Sequence, residues 1–239
     1  SKSTPLFSSA ASDVYKRQTL AHAFFEAIGR GMDAEKAKLL VMEAFERIQD
    51  VPQWQLRFKL DEFSTLLDRA REWARQSEVN QELAGVEIPV GVHVGGGVRI
   101  GGYMDRLLRD EEGNYLVVDL KTGRSTPAKK EGEDHVQLMT YQLALAHGAF
   151  DGHQVHDGEG MPRKGGVLVY PGVTTKKIGE IWQSDKSPEA LEDFAALLPP
   201  LVEEMRGPRI TARTNKDCDK CPIRSICPVQ EEGRMTTDA

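Results

Sequence analysis

Asp105, Asp119 and Lys121 are the residues of this chain whose types and spacing suit chemistry together. They lie in GYMDRLLRDEEGNYLVVDLKTG, where the turn residues centre on Glu112 and the two aspartates stand seven residues to either side of it. Strand pairing symmetric about Glu112 would set the two carboxylates opposite each other, with Cβ atoms roughly 4.5–5.5 Å apart. Lys121 follows Asp119 by two, so a strand sends both side chains to one face while Val118 and Leu120 leave the other. Opposed carboxylates repel unless something positive sits between them. A divalent cation there would polarise a phosphoryl oxygen and lower the pKa of a bound water, and a nearby ammonium would orient that water or stabilise developing charge. That is equipment for phosphodiester hydrolysis. The plain alternative is surface ion pairing, of Asp105 with Arg106 or Arg124 and of Asp119 with Lys121.

The flanking pattern shows what must hold these groups. Residues 1–18 are Ser/Ala-rich with no periodic apolar face, which predicts little independent structure. Leu20, Ala23, Phe24, Ala27 and Ile28 then follow helical spacing up to Gly29 and Gly31, placing His22 on a helix. Further helices are predicted over Asp33–Gln49 and Gln53–Ser77. The period then changes to two at Val86, Ile88, Val90 and Val92, with turns at Gly95-Gly96-Gly97 and Asp110–Asn114, predicting a three-stranded antiparallel meander that ends in Tyr115–Lys121. A helix over Asp134–His147, a polar loop over Asp151–Lys164 and strands near Gly166–Tyr170 and Lys177–Gln183 complete the core. A last helix starts near Ser187 and is expected to be disturbed by Pro199-Pro200.

Composition narrows the class. A length of 239 residues suits one large domain or one domain with an appendage, and no run approaches the roughly 20 apolar residues of a membrane span. The formal net charge of −6 excludes coating of nucleic acid by global charge, so contact with phosphates must come from local patches. The clearest runs from Arg206 to Arg224 through Arg209, Arg213, Lys216 and Lys220. Cys218, Cys221 and Cys227 form C-x2-C-x5-C, a spacing that serves zinc or an iron–sulfur cluster in a reducing compartment, and the chain reads as cytoplasmic. Nothing resembles a phosphate-binding G-x-x-x-x-G-K-[ST] loop, so any motor activity would belong to another domain or subunit.

GYMDRL followed by VVDLKTG resembles the RecB-type (AddB- and AdnB-like) branch of the PD-(D/E)XK nucleases. The resemblance spans about Thr19 to Pro228 and implies an α/β fold, a restriction-endonuclease-like core whose mixed β-sheet carries an antiparallel meander and is flanked by helices. It implies catalytic roles for Asp105, Asp119, Lys121 and, from QLMTY, Gln137 and Tyr141. It assigns a Mg²⁺ or Mn²⁺ site to His22, Asp105 and Asp119, with Glu87 in GVEIPV as a lesser candidate. The cysteine triplet then resembles the C-terminal part of a [4Fe–4S] site whose fourth cysteine comes from the N-terminal side, which this chain lacks. The expected organisation is a leader over 1–18, a helical segment with His22 over 19–80, the nuclease core over 81–206 and the cysteine segment over 207–239. SSAASDVYKRQ resembles vector- or adapter-derived translation, which suggests that a native N-terminus was replaced or lost. The implied function is DNA cleavage at single-stranded or duplex ends, as the exonuclease module of a helicase–nuclease in recombinational repair. A CRISPR-associated exonuclease and a non-catalytic DNA-end-binding module are the alternatives.

Overall fold

Alternating apolar residues after Glu82 fold as β1 (Glu82–His93), β2 (Arg99–Arg109) and β3 (Tyr115–Leu120), the predicted antiparallel meander. The structure, a computed structural model, describes residues 6–150, 153–154, 160–207 and 211–231. Before the meander come α1 (Leu6–Gly29), α2 (Ala34–Arg47) and α3 (Gln53–Ser77). After it come α4 (Val136–Ala146), the two-residue strands β4 (Ala149–Phe150) and β5 (His153–Gln154), β6 (Arg163–Tyr170), β7 (Gly179–Gln183) and α5 (Pro188–Arg206). The strands form one mixed sheet in the order β5-β4-β1-β2-β3-β6-β7, in which only the β3–β6 pairing is parallel. The α4 crossover supplies the long connection that a parallel pair requires.

Helices α1, α2 and α3 cover one face, where Phe24, Phe45 and Phe63 pack with Leu116, Val118 and Leu120. Helix α4 covers the other through Leu138 and Leu145, which meet Val117, Leu168 and Ile181. Strand β3 is therefore buried on both faces, as its near-continuous YLVV run requires. Asp33 starts α2 by accepting the Lys36 N–H at 2.9 Å, the capping role its side chain favours.

Two expectations are corrected. Helix α1 begins at Leu6 and runs unbroken through the segment expected to lack structure. No proline or glycine interrupts the sequence between Pro5 and Gly29, so a helix nucleated on the apolar residues after Thr19 propagates backwards. Helix α5 also continues past Pro199 and Pro200 to Arg206. The prolines free the carbonyls of Ala195 and Ala196, neither of which belongs to a buried residue, so water can satisfy them.

The meander also departs from simple alternation. Val86 faces α1, since a Cβ on Gly29 would lie 2.4 Å from its Cγ1, whereas Ile88, Val90 and Val92 join the α4 side. On β2, Met104 and Leu107 share the α4 side although they are three residues apart. Both strands thus exchange faces at Glu87 and Asp105, which lie between the pairs Val86–Arg106 and Ile88–Met104. Glu87 has φ +47°, the left-handed region that L-residues adopt at a cost.

Arg106 anchors α1 and α3 to the sheet beside this reversal. It is 1% exposed, its guanidinium stacks 4.3 Å above the Phe25 ring, and it donates to Glu78 at 2.7 Å. Arg106→Ala removes that packing and leaves a hole against Phe25, with an expected loss of roughly 3 kcal/mol of stability. Urea unfolding followed by circular dichroism measures it, and an unchanged midpoint would refute this account of the anchor.

Candidate active site

The hairpin register is the one expected: Arg106–Val118, Leu107–Val117, Leu108–Leu116 and Arg109–Tyr115 are each symmetric about Glu112. Its last pair stops one step short of Asp105 and Asp119. There the Asp105 side chain replaces the ladder, with Oδ2 accepting the Leu120 N–H at 2.6 Å. Its other oxygen turns to α1, where Oδ1 is 3.1 Å from His22 Nδ1. Asp119 faces α4 instead, and its Oδ2 lies 2.7 Å from Lys121 Nζ, close enough for an ion pair although that oxygen has no aligned hydrogen-bond donor. The two aspartates share one end of the hairpin but use it in different directions.

His22, Asp105 and Glu87 converge, each offering one ligand atom with all of those atoms within 4.8 Å of one another. Glu87 therefore takes the place expected for Asp119 in the closest cluster. A strand glutamate carries no special signal in the sequence, whereas the left-handed backbone of Glu87 at the face reversal turns it toward Asp105. Tyr15, Gln18, Thr19 and Glu26 border the same open cleft of about 410 Å³. Larger grooves lie elsewhere on the chain, and it is the donor set that marks this one.

Two buried aspartates and the half-buried Glu87 around one histidine set the electrostatics. Burial works to lower the His22 pKa, but the hydrogen bond and charge of Asp105, with Asp119 and Glu87, hold it above its ordinary 6.5. Burial, followed by the negative charges of Asp105 and Glu26, raises the Glu87 carboxyl. Asp119 is pushed up to about 6 by burial and then by Asp105, against the opposing pull of Lys121 and His22. The buried atoms His22 Nε2 and Asp119 Oδ2 lack hydrogen-bond partners among the described residues. An orphaned ring nitrogen such as His22 Nε2 is costly and a cation would relieve it, whereas Asp119 Oδ2 already faces the Lys121 ammonium. An imidazole with carboxylates suits Mn²⁺ or Mg²⁺ better than a soft metal. Ligation requires His22 to lose its proton, so Mn²⁺ affinity should rise as the pH goes from about 6 to about 8. Calorimetry would show this, and an affinity flat across that range would remove His22 from the metal.

Lys121 is held from its far side. Its Nζ donates to Gln137 Oε1 at 2.6 Å, Gln137 Nε2 donates to the Tyr141 hydroxyl at 2.9 Å, and Tyr141 donates to the Tyr103 carbonyl at 2.6 Å. Gln137 and Tyr141 are four residues apart on α4 and so share a face. The phenol pKa is raised, first by burial and then by the Asp119 charge, so Tyr141 remains a neutral donor. Asp119, Lys121, Gln137 and Tyr141 thus form one chain of contacts, and Asp105 stands beside it, bonded to the Leu120 N–H and to His22.

The cysteines lie apart on two 3₁₀ turns at Cys218–Lys220 and Arg224–Ile226. Cys221 and Cys227 each follow a turn and precede a proline, with nearly identical backbone angles of −70°, 124° and −78°, 124°. All three thiols are free, and Cys218 Sγ accepts the Asn215 N–H at 3.2 Å. In the basic segment, Arg206, Arg213 and Arg224 pair with Glu203, Glu204 and Asp219, which neutralises much of its charge, and Arg209 lies outside the described residues. No helix among the described residues is long and apolar enough to cross a membrane.

No curated protein matches the chain. A solved structure, that of SSO0001, is 21% identical over 74% of this chain and 73% of its own, with a TM-score of 0.37. Residues 12–228 match the PD-(D/E)XK nuclease superfamily, a span that holds the hairpin, the histidine helix and the lysine relay alike, and the chain belongs to that superfamily.

Proposed function

We propose that this chain is a Mg²⁺- or Mn²⁺-dependent deoxyribonuclease that hydrolyses phosphodiester bonds at DNA ends. The convergence of His22, Glu87 and Asp105 beside the Asp119–Lys121 pair carries the reading. A bound divalent ion would supply charge neutralisation and an acidified water. His22, Asp105 and Glu87 would hold it, with Asp119 completing the acidic wall. Lys121, aimed by Gln137 and Tyr141, would steady the attacking water or the charge developing on phosphorus.

In this reading the chain serves as the nuclease module of a helicase–nuclease in recombinational repair, with the motor on another domain or subunit. The C-x2-C-x5-C spacing supports a cysteine-held [4Fe–4S] cluster completed by a ligand from outside the triplet. Incubation of 5′- and 3′-labelled single strands with Mg²⁺, Mn²⁺ or chelator tests the central claim and reads polarity at once. Metal-dependent shortening of the strands is expected. Cleavage undiminished by chelator would sink the metal mechanism.

A further inference from the structure

A groove of about 680 Å³ lies between the loop that leaves β3 and the edge strand β7. Arg124, Thr126, Lys129, Thr175, Lys177 and Trp182 line it. Trp182 is 48% exposed, a large aromatic surface left open at the sheet edge. Lys129 and Lys177 are exposed, and neither has a carboxylate partner among the described residues. The acid in the lining, Glu180, is already engaged by two indoles, from Trp73 at 2.6 Å and Trp182 at 3.1 Å. The second of these bonds fixes one edge of the Trp182 ring. The opposite wall is held by Arg69, which donates to the Val173 and Thr175 carbonyls, and by Thr175 Oγ1, which donates to the Lys177 carbonyl at 2.8 Å.

We infer that this groove binds single-stranded nucleic acid, with Trp182 stacking on a base and Lys129 and Lys177 meeting phosphates. The inference rests on the nuclease reading for its purpose but on separate residues for its evidence. An aromatic face flanked by unneutralised cations is how sequence-tolerant single-strand sites are built, because every base has a stacking face and every linkage a charge. A duplex keeps its bases inside and cannot offer one to Trp182. The position is also apt. Arg124 follows Lys121 by three residues, which spans no more than about 11 Å of chain. The turn Lys129–Glu131 continues toward a second cleft lined by Lys130, Glu131, Asp134, His135 and Gln137, and Gln137 is the residue that holds Lys121. A strand in the groove therefore lies on the same side of the sheet edge as the path that leads to Lys121.

The test uses the full chain in chelator, so that nothing is cleaved, with a fluorescein-labelled oligothymidine and a duplex of equal length read by anisotropy. Trp182→Ala should weaken single-strand binding roughly tenfold and Trp182→Phe should restore most of it. Lys129→Glu with Lys177→Glu should weaken binding further and flatten its salt dependence by about 0.7 per lost phosphate contact. Thermal melting of each variant guards against simple misfolding, and the phenylalanine rescue is something a merely structural tryptophan would not show. Unchanged affinity in Trp182→Ala, or duplex binding that falls in parallel with single-strand binding, would overturn the inference. If Trp182→Ala loses affinity while no metal supports cleavage, the groove stands and the nuclease reading fails. If cleavage proceeds with affinity untouched, the reverse holds.

Discussion

Asp119→Asn should abolish metal-dependent cleavage and yet leave the metal-free chain more stable than its parent at pH 7.5. Asp119 is 1% exposed, and its pKa is pushed from 3.8 to about 6 by burial and by Asp105. Because the folded pKa is the higher one, the folded state retains between these values a proton that the unfolded state has lost. Stability therefore falls as the pH rises through that window, and the cost is fully present above about pH 6. Taken from the size of the shift, the ionised carboxylate costs roughly 2–3 kcal/mol at neutral pH. Asparagine keeps the shape and removes the charge, while Lys121 retains its bond to Gln137. In the proposed mechanism that negative charge completes the acidic wall, so cleavage should fall on the order of 10³-fold or more. Thermal melts at pH 4.5 and 7.5 in chelator should show a clearly larger advantage for the variant at the higher pH. A variant destabilised at both would mean that the charge of Asp119 supports the fold through Lys121 instead of straining it.

The second large effect is at Lys121. Lys121→Met keeps an apolar stem of similar length and removes the ammonium, with an expected loss of about 10²–10³-fold in kcat and little change in KM. Tyr141→Phe should cost less, on the order of tenfold, because Gln137 can still reach Lys121 after losing the hydroxyl at its other end. The split separates a group that acts on the reacting phosphate from residues that position it. If Tyr141→Phe were as damaging as Lys121→Met, the phenol would have a direct role that its bond to the Tyr103 carbonyl does not suggest.

Much of the site was legible from local pattern. A hairpin centred on Glu112 follows from turn residues between two apolar runs, and pairing symmetric about that point then sets the register. The shared face of Gln137 and Tyr141 follows from four-residue spacing on a helix. Glu87 was less legible. Its weight comes from a left-handed backbone and from a face reversal matched across two strands, and a period-two reading of Val86, Ile88, Val90 and Val92 passes straight through that reversal. The beginning of α1 was hidden for a different reason, since a Ser/Ala-rich stretch has no apolar periodicity yet extends readily from a helix already formed.

The sequence by itself determined that Asp119 and Lys121 share a strand face, that Asp105 lies across the turn from them, and that His22 rides a helix. Periodicity and turn chemistry act over a few residues and can be read there. Only the tertiary structure decided how Asp105 divides its two oxygens between the Leu120 N–H and His22, and that Glu87 joins His22 and Asp105. It also decided that Gln137 and Tyr141 hold the far side of Lys121. Apart from the Gln137–Tyr141 bond, those contacts join residues 15 to 83 positions apart, and their geometry depends on how α1 and α4 pack on opposite faces of the sheet, which no local pattern encodes.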